Sequence, residues 1–134
     1  MKYIEHYLTI DMLREKLEGA VYIRQAGIGH KLHVTLTAGM EPVALPESSE
    51  GLVMLAYTKP NGTKSDVMMS VENNRASVVI PRAAVDTVGT TICEVRVYDS
   101  TAGTWWTSPR ITIVVQSVEY DAAAQQTVVS DPTV

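Results

Sequence analysis

Two of the chain's three histidines, His30 and His33, stand three positions apart, a pairing that invites a metal-ion reading. They lie at the start of a run, Lys31-Leu32-His33-Val34-Thr35-Leu36-Thr37, that alternates apolar with polar. On a strand, residues three apart point to opposite faces, so the pair cannot chelate one ion. No acidic residue sits beside it in the sequence, and ordinary surface or strand-edge histidines are expected. The single cysteine, Cys93, shares the apolar parity of Val95 and Val97, while Glu94, Arg96 and Tyr98 take the other face. Such a thiol is a small core hydrophobe with a raised pKa, and not a nucleophile. Hydroxyls in Ser48-Ser49, Ser100-Thr101 and Thr107-Ser108 lack a Gly-x-Ser-x-Gly elbow. Asp66, Asp86 and Asp99 are scattered turn residues, and Gly27-Ile28-Gly29 is too short to cradle a phosphate. No enzyme, no metal and no cofactor is expected.

The most informative pair is Trp105-Trp106. Adjacent strand residues face opposite ways, so only one of them joins the core. Parity counted from Ile111 and Val115 makes Trp105 the inward one and leaves Trp106 partly exposed, with Pro109 between them able to break the register. Trp106 then has two readings that stay open: a rim aromatic covered by a loop, or a contact for a partner subunit or a glycan. Met68-Met69 poses the same choice, with one inward and adaptable packing as its role.

The elements that position these residues follow from composition and turn chemistry. The chain has 134 residues, 46% hydrophobic and 19% charged, enough for one domain with a real core. Its net charge of -4 argues against a non-specific nucleic-acid binder and a polybasic membrane-surface protein. One cysteine excludes an internal disulfide and a Cys-rich zinc site. The longest apolar stretches, such as residues 52–57, fall far short of the ~20 residues a membrane span needs. The N-terminal residues show no apolar secretory segment, and synthesis in a reducing cytoplasm is expected.

Short alternating runs recur at 21–24, 32–36, 51–57, 66–71, 76–80, 91–98, 104–107 and 111–115. Lys59-Pro60-Asn61-Gly62, Glu72-Asn73-Asn74-Arg75 and residues 99–103 supply turns. Pro81 and Gly89 bracket one short helical turn. This pattern predicts an all-β, antiparallel sandwich of about seven to eight strands. Residues 21–118 form the sandwich. Residues 1–20 are an N-terminal arm or first strand, with Asp11 to Gly19 readable either as a short helix capped by Asp11 or as the continuation of an opening strand. Residues 119–134 are polar and small, a tail in which Asp121 caps and Ala122-Ala123-Ala124 favour a short helix, stopped by Pro132.

The strand series resembles the N-terminal immunoglobulin-like domain of the phage baseplate upper protein family, from about Val21 to Val118. The likeness rests on Ile23-Arg24-Gln25-Ala26-Gly27, the strand at 32–36, and Tyr57-Thr58-Lys59-Pro60-Asn61-Gly62. It continues through residues 85–89, then Cys93-Glu94-Val95-Arg96-Val97-Tyr98-Asp99, and Ser108-Pro109-Arg110 leading into the last strand. What it implies is an immunoglobulin-like fold and a structural part of a tailed-phage virion in the baseplate or tail tip. The part would be made in the host bacterial cytoplasm and assembled as a homo-oligomer, a trimer or hexamer, with other virion proteins and without catalytic residues. A capsid decoration or head-fibre protein and a carbohydrate-binding sandwich using Trp106 are the alternatives. Leu13 and Leu17, spaced i,i+4, and Val128 and Val129 in the tail are the expected oligomer contacts, the tail being a linker, an arm or the start of an oligomerisation stem.

Overall fold

The computed structural model describes residues 2–13, 19–25, 29–47 and 49–117. Among these residues eleven strands run in chain order: β1 (Ile4–Asp11), β2 (Gly19–Arg24), β3 (His30–Ala38), β4 (Glu41–Pro42), β5 (Gly51–Thr58), β6 (Lys64–Met68), β7 (Ser70–Glu72), β8 (Arg75–Val79), β9 (Gly89–Asp99), β10 (Thr104–Thr107) and β11 (Ile111–Gln116). One 3-10 turn, Arg82–Val85, follows Pro81 and buries Ala84 and Val85. The first sheet has the order β1-β3-β8-β7 with β4 beside β3; the second has β2-β11-β9-β5-β6 with β10 beside β9.

The sandwich is the one the alternation predicts. Leu32, Val34 and Leu36 of β3 face Val53 and Leu55 of β5, Val95 and Val97 of β9, and Ile111, Ile113 and Val115 of β11 in a single core. Two features depart from a purely antiparallel sandwich of seven to eight strands. β1 runs parallel to β3 and β2 runs parallel to β11, so both N-terminal strands join their sheets at an edge in parallel. The run at 66–71 is two strands, because the chain changes sheets at Met69. Its N–H donates to the Val53 carbonyl, and its side chain enters the core while that of Met68 stays outside.

Turn chemistry sets the register. Asn73 and Asn74 both have positive φ, 53° and 57°, the two-residue hairpin that joins β7 to β8. The Asn74 side chain also accepts from the Leu45 N–H and donates to the Val43 carbonyl, fixing the connection between β4 and β5. β1 is a strand that reaches Asp11, and Met12 and Leu13 form a turn; residues 14–18, the rest of the segment with two readings, lie outside the described residues. Among the described residues no helix is long and apolar enough to cross a membrane.

Candidate functional site

All three histidines gather where β1 meets β3, since the parallel register sets Ile4 opposite His30, His6 opposite Leu32 and Tyr7 opposite His33. His6 Nε2 lies 3.0 Å from His30 Nδ1. With the ring centroids 5.2 Å apart, the nitrogens sit near the line joining the centroids, so the rings meet edge to edge and share one N–H. Burial first, and the neighbouring His30 second, hold His6 below the ordinary value of 6.5.

His33 faces the other way, as the strand period requires, and is buried. Its Nε2 is 2.7 Å from Glu5 Oε1 and its Nδ1 2.7 Å from Ser77 Oγ. The Tyr7 ring stacks on it at 4.5 Å, and Arg75 sits 5.1 Å from the Tyr7 centroid. An acidic residue therefore does stand beside this histidine, contrary to the sequence reading. Glu5 is 28 positions away and arrives only through the parallel pairing of β1 with β3. Serine, histidine and glutamate in a hydrogen-bonded row are the residue types of a nucleophilic triad. Here the row lies across the outer face of the sheet with Tyr7 over the imidazole, and it links β8, β3 and β1. Among the described residues no group of three or more His, Cys, Asp or Glu is arranged to hold a metal ion. Cys93 is buried, and desolvation pushes its thiol up to about 12.

The tryptophans are exchanged relative to the sequence reading. Trp105 is 54% exposed on the outer face of the second sheet, opposite Tyr98, and tilts against that ring at a centroid distance of 5.0 Å. Trp106, opposite the inward Val97, packs against the core. The cause is a one-residue slip: Thr107 pairs with Arg96 and Ile111 with Cys93, so four steps on one strand answer three on the other. Pro109 lies inside that bulge, and parity counted through it from Ile111 inverts. The more exposed aromatic is Trp105, while Trp106 is half-buried with its ring against the core.

Trp105 does not stand alone. Leu52 pairs with Tyr98 on its other side, so Leu52, Tyr98 and Trp105 form one rank across β5, β9 and β10. Met54, opposite Met68, extends the apolar surface along β5 and β6. Leu52 and Met68 then border a groove of about 590 Å³ between the β4–β5 connection and the sheet crossing, lined also by Leu45, Pro46, Val71 and Asn74. Aromatic and methionine side chains of this kind are what protein interfaces are built from. Leu13 is exposed, with its Cδ1 beside Gly39. Leu17, Val128 and Val129 lie outside the described residues.

No family model and no curated protein matches the chain. Among solved structures, the N-terminal domain of phage TP901-1 ORF48 matches it with a TM-score of 0.63. This chain is similar in fold to a phage protein domain. The match covers 84% of this chain and 98% of that one at 14% identity, a likeness of fold. The all-β sandwich expected from the strand pattern is the architecture the two share.

Proposed function

We propose that the protein is a structural component of a tailed-phage virion, a baseplate or tail-tip part that works as an oligomeric scaffold. The observation that carries this reading is the fold held in common with the N-terminal domain of phage TP901-1 ORF48, over nearly the whole of that domain. The resemblance of the strand motifs to the baseplate upper protein family points the same way. In this reading the sandwich is a rigid block made in the host cytoplasm, and its partners are further copies of itself, as a trimer or hexamer, and neighbouring virion proteins. It has no catalytic task, and the Glu5–His33–Ser77 row serves to hold three strands together. The rank of Leu52, Tyr98 and Trp105, with Leu52 and Trp105 exposed, is its contact surface for another virion protein.

The test is the composition of purified particles. The protein should be found by mass spectrometry in intact virions, and labelled antibody should decorate the tail end. Its absence from particles would overturn the reading, and label on the head would replace it by a capsid decoration or head fibre. The exposed Trp105 beside Tyr98 also has the form of a platform for a sugar ring. Saturable glycan binding by the isolated protein, lost in Trp105→Ala, would favour the carbohydrate-binding reading.

A further inference from the structure

Among the described residues, the outer edge of β1 is unpaired. Ile4 N–H donates to the Gly29 carbonyl at 2.7 Å and Met12 N–H to the Thr37 carbonyl at 2.6 Å. Even-numbered residues of β1 therefore turn their backbone groups toward β3. Glu5, Tyr7 and Thr9 turn theirs the other way, where among the described residues no strand follows β1. An edge of this length ordinarily carries a proline, a lysine, a bulge or a covering loop. β1 has eight residues with no proline, lysine or bulge; its two carboxylates are engaged within the chain, Glu5 with His33 and Asp11 with the N–H groups of Leu13 and Gly39, and it shows Ile4, 61% exposed, on one face and Tyr7, 59% exposed, on the other. The opposite edge of the same sheet, β7, has only three residues, and β6 carries Lys64 and Asp66.

We propose that β1 pairs antiparallel with β1 of a second copy, about a two-fold axis through Tyr7, so that the two first sheets become one. The outward set is self-complementary. Turned about Tyr7, Glu5 faces Thr9 of the second copy and Tyr7 faces its own counterpart, and about six backbone hydrogen bonds form from the three pairs. No two carboxylates meet, because Glu5 falls opposite a threonine and stays on its own His33. Ile4 of one copy comes to lie beside Ile10 of the other. This rests on the self-association named in the functional reading and narrows it: three such two-fold pairs build a dihedral hexamer, whereas a cyclic trimer would leave this edge unused.

Thr9 gives the test, because its N–H points away from β3 and its side chain is exposed. Sedimentation of the full chain over a range of concentrations should show a monomer–dimer equilibrium. Thr9→Pro removes one outward donor from each copy without breaking a bond to β3, and should weaken dimerisation by about tenfold or more. Thr9→Glu places a carboxylate opposite Glu5 and should weaken it too, whereas Thr9→Lys should keep or tighten it. The glutamate and lysine variants carry the test should the proline variant fail to fold. A wild-type chain that stays monomeric throughout overturns the pairing, as does a dimer indifferent to Thr9→Pro and Thr9→Glu. Either result leaves virion incorporation, the test of the functional reading, to be decided separately.

Discussion

Replacing Ser108 by alanine removes one oxygen and should cost far more than one surface hydroxyl. Between β10 and β11 the ladder to β9 slips by a residue, and Pro109 has no N–H to offer. Ser108 bridges the gap. Its own N–H donates to the Val95 carbonyl at 2.9 Å, and its Oγ accepts from the Val95 N–H at 2.9 Å and donates to the Pro109 carbonyl at 2.8 Å. Both residues are buried, with Val95 fully so. In Ser108→Ala the backbone bond survives but the Val95 N–H is left dry between the sheets, at a cost of about 1–3 kcal/mol. For a domain of this size that lowers Tm by roughly 4–10 °C. Thr107→Ala, an exposed neighbour, should move stability by less than about 0.5 kcal/mol. Thermal melts of the two variants and amide exchange at Val95 check the reasoning. A Ser108→Ala protein that melts within a degree of wild type, with Val95 still protected, would show that the hydroxyl is not standing in for a strand carbonyl.

The tryptophans should separate: Trp106→Ala is expected to destabilise by about 2–4 kcal/mol in denaturant titrations, while Trp105→Ala leaves stability nearly unchanged. Because His6 is held below 6.5 in the folded protein, the unfolded chain binds its proton more readily. Stability is full above that pH, erodes as pH falls below it, and levels off under the lowered folded value; His6→Gln should flatten this slope in melts across the range. Asp86, held below its ordinary 3.8 chiefly by Lys59, acts only in a more acid window and so does not mask the effect. A Cβ at Gly51 would fall inside contact distance of the Tyr98 carbonyl oxygen and the Pro46 ring, so Gly51→Ala should cost about 1–3 kcal/mol in an equilibrium unfolding curve. Val97→Asp buries an unpaired charge opposite Trp106 and should cost several kcal/mol, read as loss of a cooperative melt.

Local chemistry was readable wherever one strand and its turn settle the matter. The inward residues of β9, the burial of Cys93, the fact that only one of Met68 and Met69 enters the core, and the turns at Asn61-Gly62 and Asn73-Asn74 follow from period two and positive φ alone; which methionine enters is settled by the crossing between sheets at Met69. What failed to show in the sequence depends on register between distant strands. The exchange of Trp105 and Trp106 turns on a single extra residue around Pro109, which inverts parity for everything counted across it. Glu5 reaches His33 only because β1 enters parallel to β3, and a parallel partner has no hairpin to announce it. The apolar rank of Leu52, Tyr98 and Trp105 likewise draws on three strands, and no stretch of the sequence shows it whole.

The parallel pairing of β2 with β11 sets how the domain bears load. Gly19 lies beside Ile111 and Arg24 beside Gln116, so the chain enters this pair at one end and leaves it at the other. Tension between the segment that joins β1 to β2 and the segment after β11 therefore pulls these strands past one another lengthwise. The hydrogen bonds along all six paired positions resist together, and β11 is held on its far side by β9. A hairpin such as β5–β6, pulled from its open end, parts one bond at a time. Stretched along this axis, the sandwich should behave as a stiff link that yields abruptly, at a force set by sliding and not by peeling.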